Sequence, residues 1–227
     1  METIPSSPKK ILIVDDHPMN VDSYKALLTE IEANKNAEYY LKYDCKEAYQ
    51  LLQHLKHNNE TIHYAFIDVN LPPFEEMKIR SGVDLAAEIR KEFPECKIVI
   101  ISMYKEPLWV NQILKSVNPE GFVAKSDINY KSFPEIFHSI ERKQAYFSKS
   151  IEDSQKVMIQ KNVNWDKFDS KILQLISEGI NTNQLPNYIP LSLSAIEKRK
   201  ANIKKQLIFD SGTDKQLIEV AKKLGFI

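Results

Sequence analysis

The sequence predicts an α/β protein: a doubly wound, five-stranded parallel sheet followed by a small all-α domain. Three observations carry this. Short apolar runs alternate with stretches of helical periodicity from Lys9 to Tyr146, the pattern of repeated βα units. Those runs are apolar almost throughout, as strands covered on both faces are. From Trp165 onward there is no strand-like run, and apolar residues recur only at helical spacing.

Lys9 to Val14 is the first strand, and after His17-Pro18 the residues Val21, Tyr24, Leu27, Leu28 and Ile31 line one face of a helix running toward Asn34. Ala37 to Asp44 alternates as a second strand, and Lys46 to His57 carries Ala48, Leu51, Leu52 and Leu55 on one stripe. His63 to Asp68 is the third strand. A loop with two prolines and mixed charge follows, then a helix from Val83 that stops before Pro94. Lys97 to Ser102 is the fourth strand, Pro107 to Val117 the fourth helix, Phe122 to Lys125 the fifth strand and Ser132 to Tyr146 the fifth helix. The domains are expected at 1–147 and 165–227, with a partly helical linker over 148–164.

At 43% hydrophobic and 27% charged residues, the composition is that of a globular chain with ample core, and nothing in it suggests disorder. Lys plus Arg and Asp plus Glu both number 31, so overall charge points to no polyanionic partner. From Val163 onward, however, ten basic residues face seven acidic ones, a net +3 balanced by −3 in the preceding part. Cys45 and Cys96 lie in no zinc or redox spacing and read as buried thiols. The opening METIPSSPKK has no long apolar core, and no later run approaches the roughly 20 apolar residues that span a bilayer. No membrane association is expected, and a cytoplasmic location is.

The chemistry lies at the ends of the strands. An open parallel sheet presents its reactive groups at the carboxyl ends of its strands. Here those ends deliver Asp15 and Asp16, Asp68, Ser102 and Lys125 to one edge. Three converging carboxylates repel one another unless a hard cation such as Mg²⁺ or Mn²⁺ sits among them, and such an ion bridges carboxylate to phosphate oxygens. A carboxylate can attack a phosphoryl donor to give an acyl phosphate, with metal and lysine neutralising the oxygens.

The segments IVDDHP, FIDVNLP, IISMYKEP and GFVAKSD resemble, in order and spacing, the motifs of the two-component response regulator receiver domain, a flavodoxin-like fold, over about the first 147 residues. The resemblance implies that Asp68 is the phosphoacceptor and that Asp15, Asp16, Asp68 and the carbonyl of Asn70 hold the metal. It further implies that Ser102 and Phe122 are the switch residues, that Lys125 contacts the phosphoryl group, and that a histidine kinase supplies it.

Taken singly, each residue has a plainer reading: a helix cap for Asp15 or Asp16, a turn for Ser102, a solvated end for Lys125 and a core aromatic for Phe122. Five in chain order point to a site. His17 is expected to cap or lie at the surface. The loop from Asp68 to Gly82 is several residues longer than is usual in the family, with Phe74, Glu75, Glu76, Met77 and Lys78 as the apparent insertion. An aspartate-nucleophile phosphohydrolase is the enzymatic rival. It usually has a second acid two residues after its nucleophile, whereas Asp68 is followed by Val69 and Asn70.

In the C-terminal part, Ile172, Leu175 and Ile176 form a helical stripe ending at Gly179. Leu185 to Pro190 is a short, proline-broken element. Ser192 or Ser194 then caps a helix that places Ala195, Ile196, Ala201 and Ile203 toward a core and crowds basic residues on its remaining surface. A basic helix after a turn is the outline of a DNA recognition helix. ISEGINTNQL, LSLSAIEKRKANIKKQL and LIEVAKKLGFI resemble the helix-turn-helix output domain of NarL and LuxR type. The resemblance departs at Pro186 and Pro190, and at Glu197, where that family usually has a basic residue. It implies promoter binding through Ser194, Lys198, Arg199, Lys200, Asn202, Lys204 and Lys205, with a homodimer on activation. The chain is therefore expected to regulate transcription and not to be a dedicated enzyme; the alternative is a helical bundle that binds a protein partner.

Overall fold

The computed structural model describes residues 8–160, 163, 165–208 and 212–227. Most of the N-terminal METIPSSPKK, part of the expected linker and the turn before Gly212 lie outside the described residues. The chain divides into two compact units, Met1–Met103 with Ile113–Ser150, and Tyr104–Gln112 with Ile151–Ile227.

In the first unit, β1 (Lys10–Val14), β2 (Glu38–Lys42), β3 (Tyr64–Asp68), β4 (Lys97–Ser102), β5 (Gly121–Ala124) and β6 (Tyr146–Phe147) form one sheet in the order β2-β1-β3-β4-β5-β6. Every pairing is parallel. The strands are joined by α1 (Pro18–Thr29), α2 (Cys45–His57), α3 (Gly82–Glu92), α4 (Pro107–Val117) and α5 (Ser132–Glu141). Ile11, Ile13, Phe66 and Val99 pack with Val21 and Leu28 of α1 and Phe133 and Phe137 of α5. The intervening Leu12, Ala65, Ile67, Ile98 and Ile100 are just as buried on the opposite face, where α2 and α3 bury Leu52, Leu55, Leu85 and Ile89. That two-sided burial is why the strands read as unbroken apolar runs.

The sheet has six strands where the sequence indicates five. The fifth helix was expected to reach Tyr146, but α5 ends at Glu141 and Tyr146–Phe147 pair with Gly121 and Phe122. Lys143 takes a left-handed conformation (φ 58°), and Lys143 N and Gln144 N donate to Ile140 O and Ser139 O. This is the geometry of a helix stop, here without the glycine that usually announces one. The first helix likewise ends at Thr29, before a 3₁₀ turn over Glu32–Asn34.

In the second unit the principal elements are α6 (Lys149–Gln160), α7 (Lys167–Ser177), a 3₁₀ segment (Thr182–Asn187), α8 (Leu193–Ile208) and α9 (Asp214–Lys223). Asp166 and Asp169 form a reciprocal capping box at the start of α7, and Thr213 and Gln216 form another at α9. Gly179 follows α7 at φ 86°, a conformation that suits glycine at a helix end. The segment with Pro186 is a 3₁₀ helix, since proline's missing N–H and its ring exclude an α-helical interior. Ser192 caps α8, its Oγ accepting from Ala195 N at 3.3 Å. The core gathers Trp165, Ile172, Leu175, Leu185, Ile196, Ile203 and Leu217. Ala201, expected to face it, is exposed.

Candidate functional site: a buried aspartate at the carboxyl edge of the sheet

Chain order and strand order part company at β1, whose neighbours β2 and β3 lie on opposite sides. A crevice opens at such a switch point, at the carboxyl ends of the strands. Strand register then places the side chains. Val14 is level with Ile67, so Asp15 follows at the level of Asp68. Asp68 is level with Ile101 and Ser102 with Ala124, directly before Lys125. The sheet thus brings Asp15, Asp68, Ser102 and Lys125 to one edge, from four strands.

Asp15 and Asp68 are buried, at 0% and 2% exposure. Lys125 Nζ lies 2.8 Å from Asp15 Oδ2 and 2.8 Å from Asp68 Oδ2. One ammonium therefore serves two carboxylates. Asp68 Oδ1 is buried and accepts no hydrogen bond among the described residues. Burial pushes the Asp68 carboxyl above the usual range; Lys125 opposes the shift and the charge of Asp15 adds to it. Burial pulls the Lys125 ammonium down, but its bonds to Asp15 and Asp68 outweigh that and leave it raised.

Asp15 is held by a network that the sequence did not announce. Its Oδ1 accepts from His17 N and Asn20 Nδ2, each at 3.0 Å. Asp16 is partly exposed, with His17 Nδ1 2.6 Å from its Oδ1. Asp15, Asp16 and His17 present ligand atoms within 4.8 Å of one another, the one such group among the described residues. Below them Tyr24 stacks on Phe133 at 5.0 Å. Burial, then the charges of Asp15 and Asp68, hold its hydroxyl well above the ordinary range.

Ser102 is fully buried at the end of β4, and Phe122 is fully buried within β5. Asn70 is exposed in the turn after Asp68, where Leu71 N donates to Val69 O at 3.2 Å. Two residues that sequence reasoning missed complete the surroundings. A Cβ on Gly82 would lie 1.8 Å from the carbonyl oxygen of Asp68; α3 can begin against the Asp68 backbone only because this residue has no side chain. Asp127 Oδ2 accepts from Ser150 N, and Oδ1 from Ser150 Oγ, both at 2.8 Å, fixing the start of α6. Burial pushes the Asp127 carboxyl up, but its bonds to Ser148 and Ser150 outweigh that and hold it low.

The long loop after Asp68 is closed on itself. Phe74 and Ile79 exchange backbone hydrogen bonds at 2.7 and 3.2 Å around a turn with Lys78 at φ 58°. The Phe74 ring lies 5.9 Å from that of Tyr49 on α2.

In the second unit the expected DNA-contact residues divide by the face of α8 they occupy. Arg199 bonds to Asp166 and Asp169 at 3.0 and 2.8 Å, clamping α8 to the capping box of α7. Lys200 reaches Thr182 and Asp214, and Lys204 reaches Asp214, each at 2.7 Å. Ser194, Lys198, Asn202 and Lys205 are exposed.

No helix among the described residues is long and apolar enough to cross a membrane. The chain is 26% identical to the transcriptional regulatory protein ComA of Bacillus subtilis over 223 residues, covering 92% of this chain and 96% of that one. It is 24% identical to the oxygen regulatory protein NreC of Staphylococcus epidermidis over 229 residues, covering 94% and 97%. RcsB of Salmonella enterica serovar Typhimurium, solved bound to promoter P1flhDC with the phosphomimetic BeF3−, shares the fold: the TM-score is 0.65 at 18% identity, covering 97% of this chain and 99% of that one. Residues 11–129, just over half of the chain and including every carboxylate of the site, match the response regulator receiver domain, and the chain belongs to that family.

Proposed function

We propose that this protein is the response regulator of a two-component phosphorelay, phosphorylated on Asp68 by a histidine kinase and regulating transcription by binding promoter DNA. The observation that carries the reading is the division of labour within the Asp68 carboxylate. Oδ2 is held by Lys125, while Oδ1 is buried and unpartnered. Oδ1 is thus the oxygen free to attack, forming a P–O bond as the P–N bond of a phosphohistidine breaks and the imidazole nitrogen keeps the electron pair. Lys125, which follows β5, would hold a phosphoryl oxygen, and the Ser102 hydroxyl at the end of β4 would bond to the new group; the register that brings these strand ends level supports the reading.

The chemistry of the donors suits a hard divalent cation: Asp15 and Asp16, whose ligand atoms lie within 4.8 Å of each other, together with Asp68 and the Asn70 carbonyl, would hold Mg²⁺ or Mn²⁺. When bound, the ion neutralises charge on the transferred group. The chain's own contribution is to fix the nucleophile, keep it dry and offer Lys125 to the developing charge. This makes it a phosphoryl acceptor and not a dedicated enzyme. Engagement of Ser102 by the phosphoryl group and a new rotamer of Phe122 would remodel the face formed by α4 and α5 and pair two copies on DNA.

The DNA-binding surface is the exposed face of α8, with Ser194, Lys198, Asn202 and Lys205 toward the groove and phosphates. Lys200 and Lys204 are half-buried and already paired. ComA, a transcriptional regulator by name, matches this chain along nearly its whole length, and RcsB has been solved on promoter DNA. Both ends of this reading, kinase and promoter, place its work in the cytoplasm.

The experiment is to incubate the chain with a small phosphodonor and Mg²⁺ and to locate the label by mass spectrometry. Stoichiometric, acid-stable and alkali-labile phosphate at Asp68, lost in Asp68→Asn, is expected. Persistent labelling of the variant at another residue overturns the assignment.

A further inference from the structure

The exposed face of α8 carries one acidic side chain. Its exposed residues fall on two adjoining ridges at intervals of four: Ser194, Lys198 and Asn202 on one, and Leu193, Glu197, Ala201 and Lys205 on the other. Nothing in the fold accounts for an acid at 197. Glu197 makes no hydrogen bond or ion pair among the described residues. A helical partner would stand three or four positions on; residue 201 is alanine, and Lys200 is engaged by Thr182 and Asp214. Glu197 also lies past the first turn of a helix capped by Ser192, beyond the reach of the helix dipole. One turn further on the same ridge stands the small side chain of Ala201, which lets this part of the helix approach another surface closely.

Against a duplex, a bare carboxylate is repelled by every phosphate, so it is tolerated only where a base edge offers it a donor. The major groove narrows the choice. Guanine presents two acceptors, thymine an acceptor and a methyl group, and adenine sets its amino group beside the N7 acceptor. Only cytosine presents an amino donor, N4, with no acceptor on the same base edge. We infer that Glu197 is a base-reading residue that accepts a hydrogen bond from the N4 amino group of a cytosine in the major groove, fixing one C·G pair in each half-site. The inference rests on the DNA-binding function proposed above and adds to it a determinant of specificity. Lys198 and Lys205, flanking Glu197 on the exposed face, supply the phosphate contacts that bring the acid into the groove.

The test is selection from a random double-stranded DNA library with the full chain, beryllofluoride and Mg²⁺, in parallel for the natural sequence, Glu197→Ala and Glu197→Gln. Circular dichroism checks that the exposed substitutions leave the fold intact. The natural sequence is expected to enrich a motif with a C·G pair preferred about tenfold at one half-site position. Glu197→Ala erases that preference and leaves the other positions unchanged. Glu197→Gln shifts it toward A·T, because glutamine pairs with the N6 and N7 of adenine. An identical motif from all three proteins overturns the inference, as does an alanine variant that binds every sequence more tightly by the same factor. Either result leaves DNA binding itself standing. If the natural sequence enriches no motif, the DNA-binding reading fails and the inference falls with it.

Discussion

Lys125→Met keeps the length of the side chain and removes the ammonium that Asp15 and Asp68 share at 2.8 Å. At that distance and an effective dielectric of about 20, each attraction is worth about 6 kcal/mol before the cost of burying the charges is subtracted. Removing one member of such a buried cluster leaves a net loss of about 3–5 kcal/mol. The loss depends on pH in a direction the site dictates. Burial already holds the Asp68 carboxyl above the usual carboxylate range, so its ionised form costs stability above that raised pKa and costs nothing below the ordinary carboxylate pKa. Without Lys125 the pKa of Asp68 rises further. The deficit of the variant should therefore be full near neutrality and shrink as the pH falls through the Asp68 transition. Adding Mg²⁺ should restore part of it, because an ion that binds only the folded site stabilises by mass action. Urea unfolding of the intact chain, followed by circular dichroism near neutrality and at a pH close to the ordinary carboxylate range, measures all three effects. A deficit of the same size at both pH values, or none at neutral pH, would refute the shared-counterion account.

Four further expectations concern single side chains. Gly82→Ala puts a methyl group 1.8 Å from the Asp68 carbonyl oxygen, so α3 and the Asp68 backbone must separate. It should cost about 1–3 kcal/mol in denaturant unfolding and slow labelling of Asp68, whereas unchanged labelling would show that the strand end does not depend on this contact. Arg199→Ala should lower the stability of the second unit by about 1–2 kcal/mol through loss of its bonds to Asp166 and Asp169. Lys205→Ala, on the exposed face, should leave stability alone and reduce the salt dependence of DNA binding by about one unit of slope; the reverse pattern would exchange their roles. Asp127→Ala removes the acceptor for Ser150 N and Oγ, so amide exchange at the start of α6 should accelerate while that within β4 does not.

The receiver half was legible because its chemistry is written at strand ends. Apolar runs that each stop in a carboxylate, a hydroxyl or a lysine mark both the strand and the edge it serves, and parallel topology leaves only one edge for them to share. Asp15, Asp68, Ser102 and Lys125 are there, and register alone brings them level. The C-terminal half was legible as a basic helix after a turn, since helical periodicity and the cap at Ser192 are local signals.

What escaped the sequence was non-local. β6 is two residues long, and the stop before it uses Lys143 in a conformation usually left to glycine, so neither periodicity nor composition marks it. Gly82 reads as the ordinary end of a loop until the Asp68 carbonyl is seen beneath its missing Cβ. Asn20 and Asp127 are polar residues in polar surroundings until their partners, Asp15 and Ser150, are brought to them. Among the basic residues of α8, sequence could count charges but could not say which were engaged. Arg199, Lys200 and Lys204 are held by acids from α7 and α9, whereas Lys198, Lys205 and the lone Glu197 face outward. The order of residues determined the elements and the strand ends at which Asp15, Asp68, Ser102 and Lys125 stand, because each follows from spacing along one chain. Tertiary structure alone decided which oxygen of Asp68 is free and which side chains of α8 are unengaged, because both depend on groups far apart in sequence.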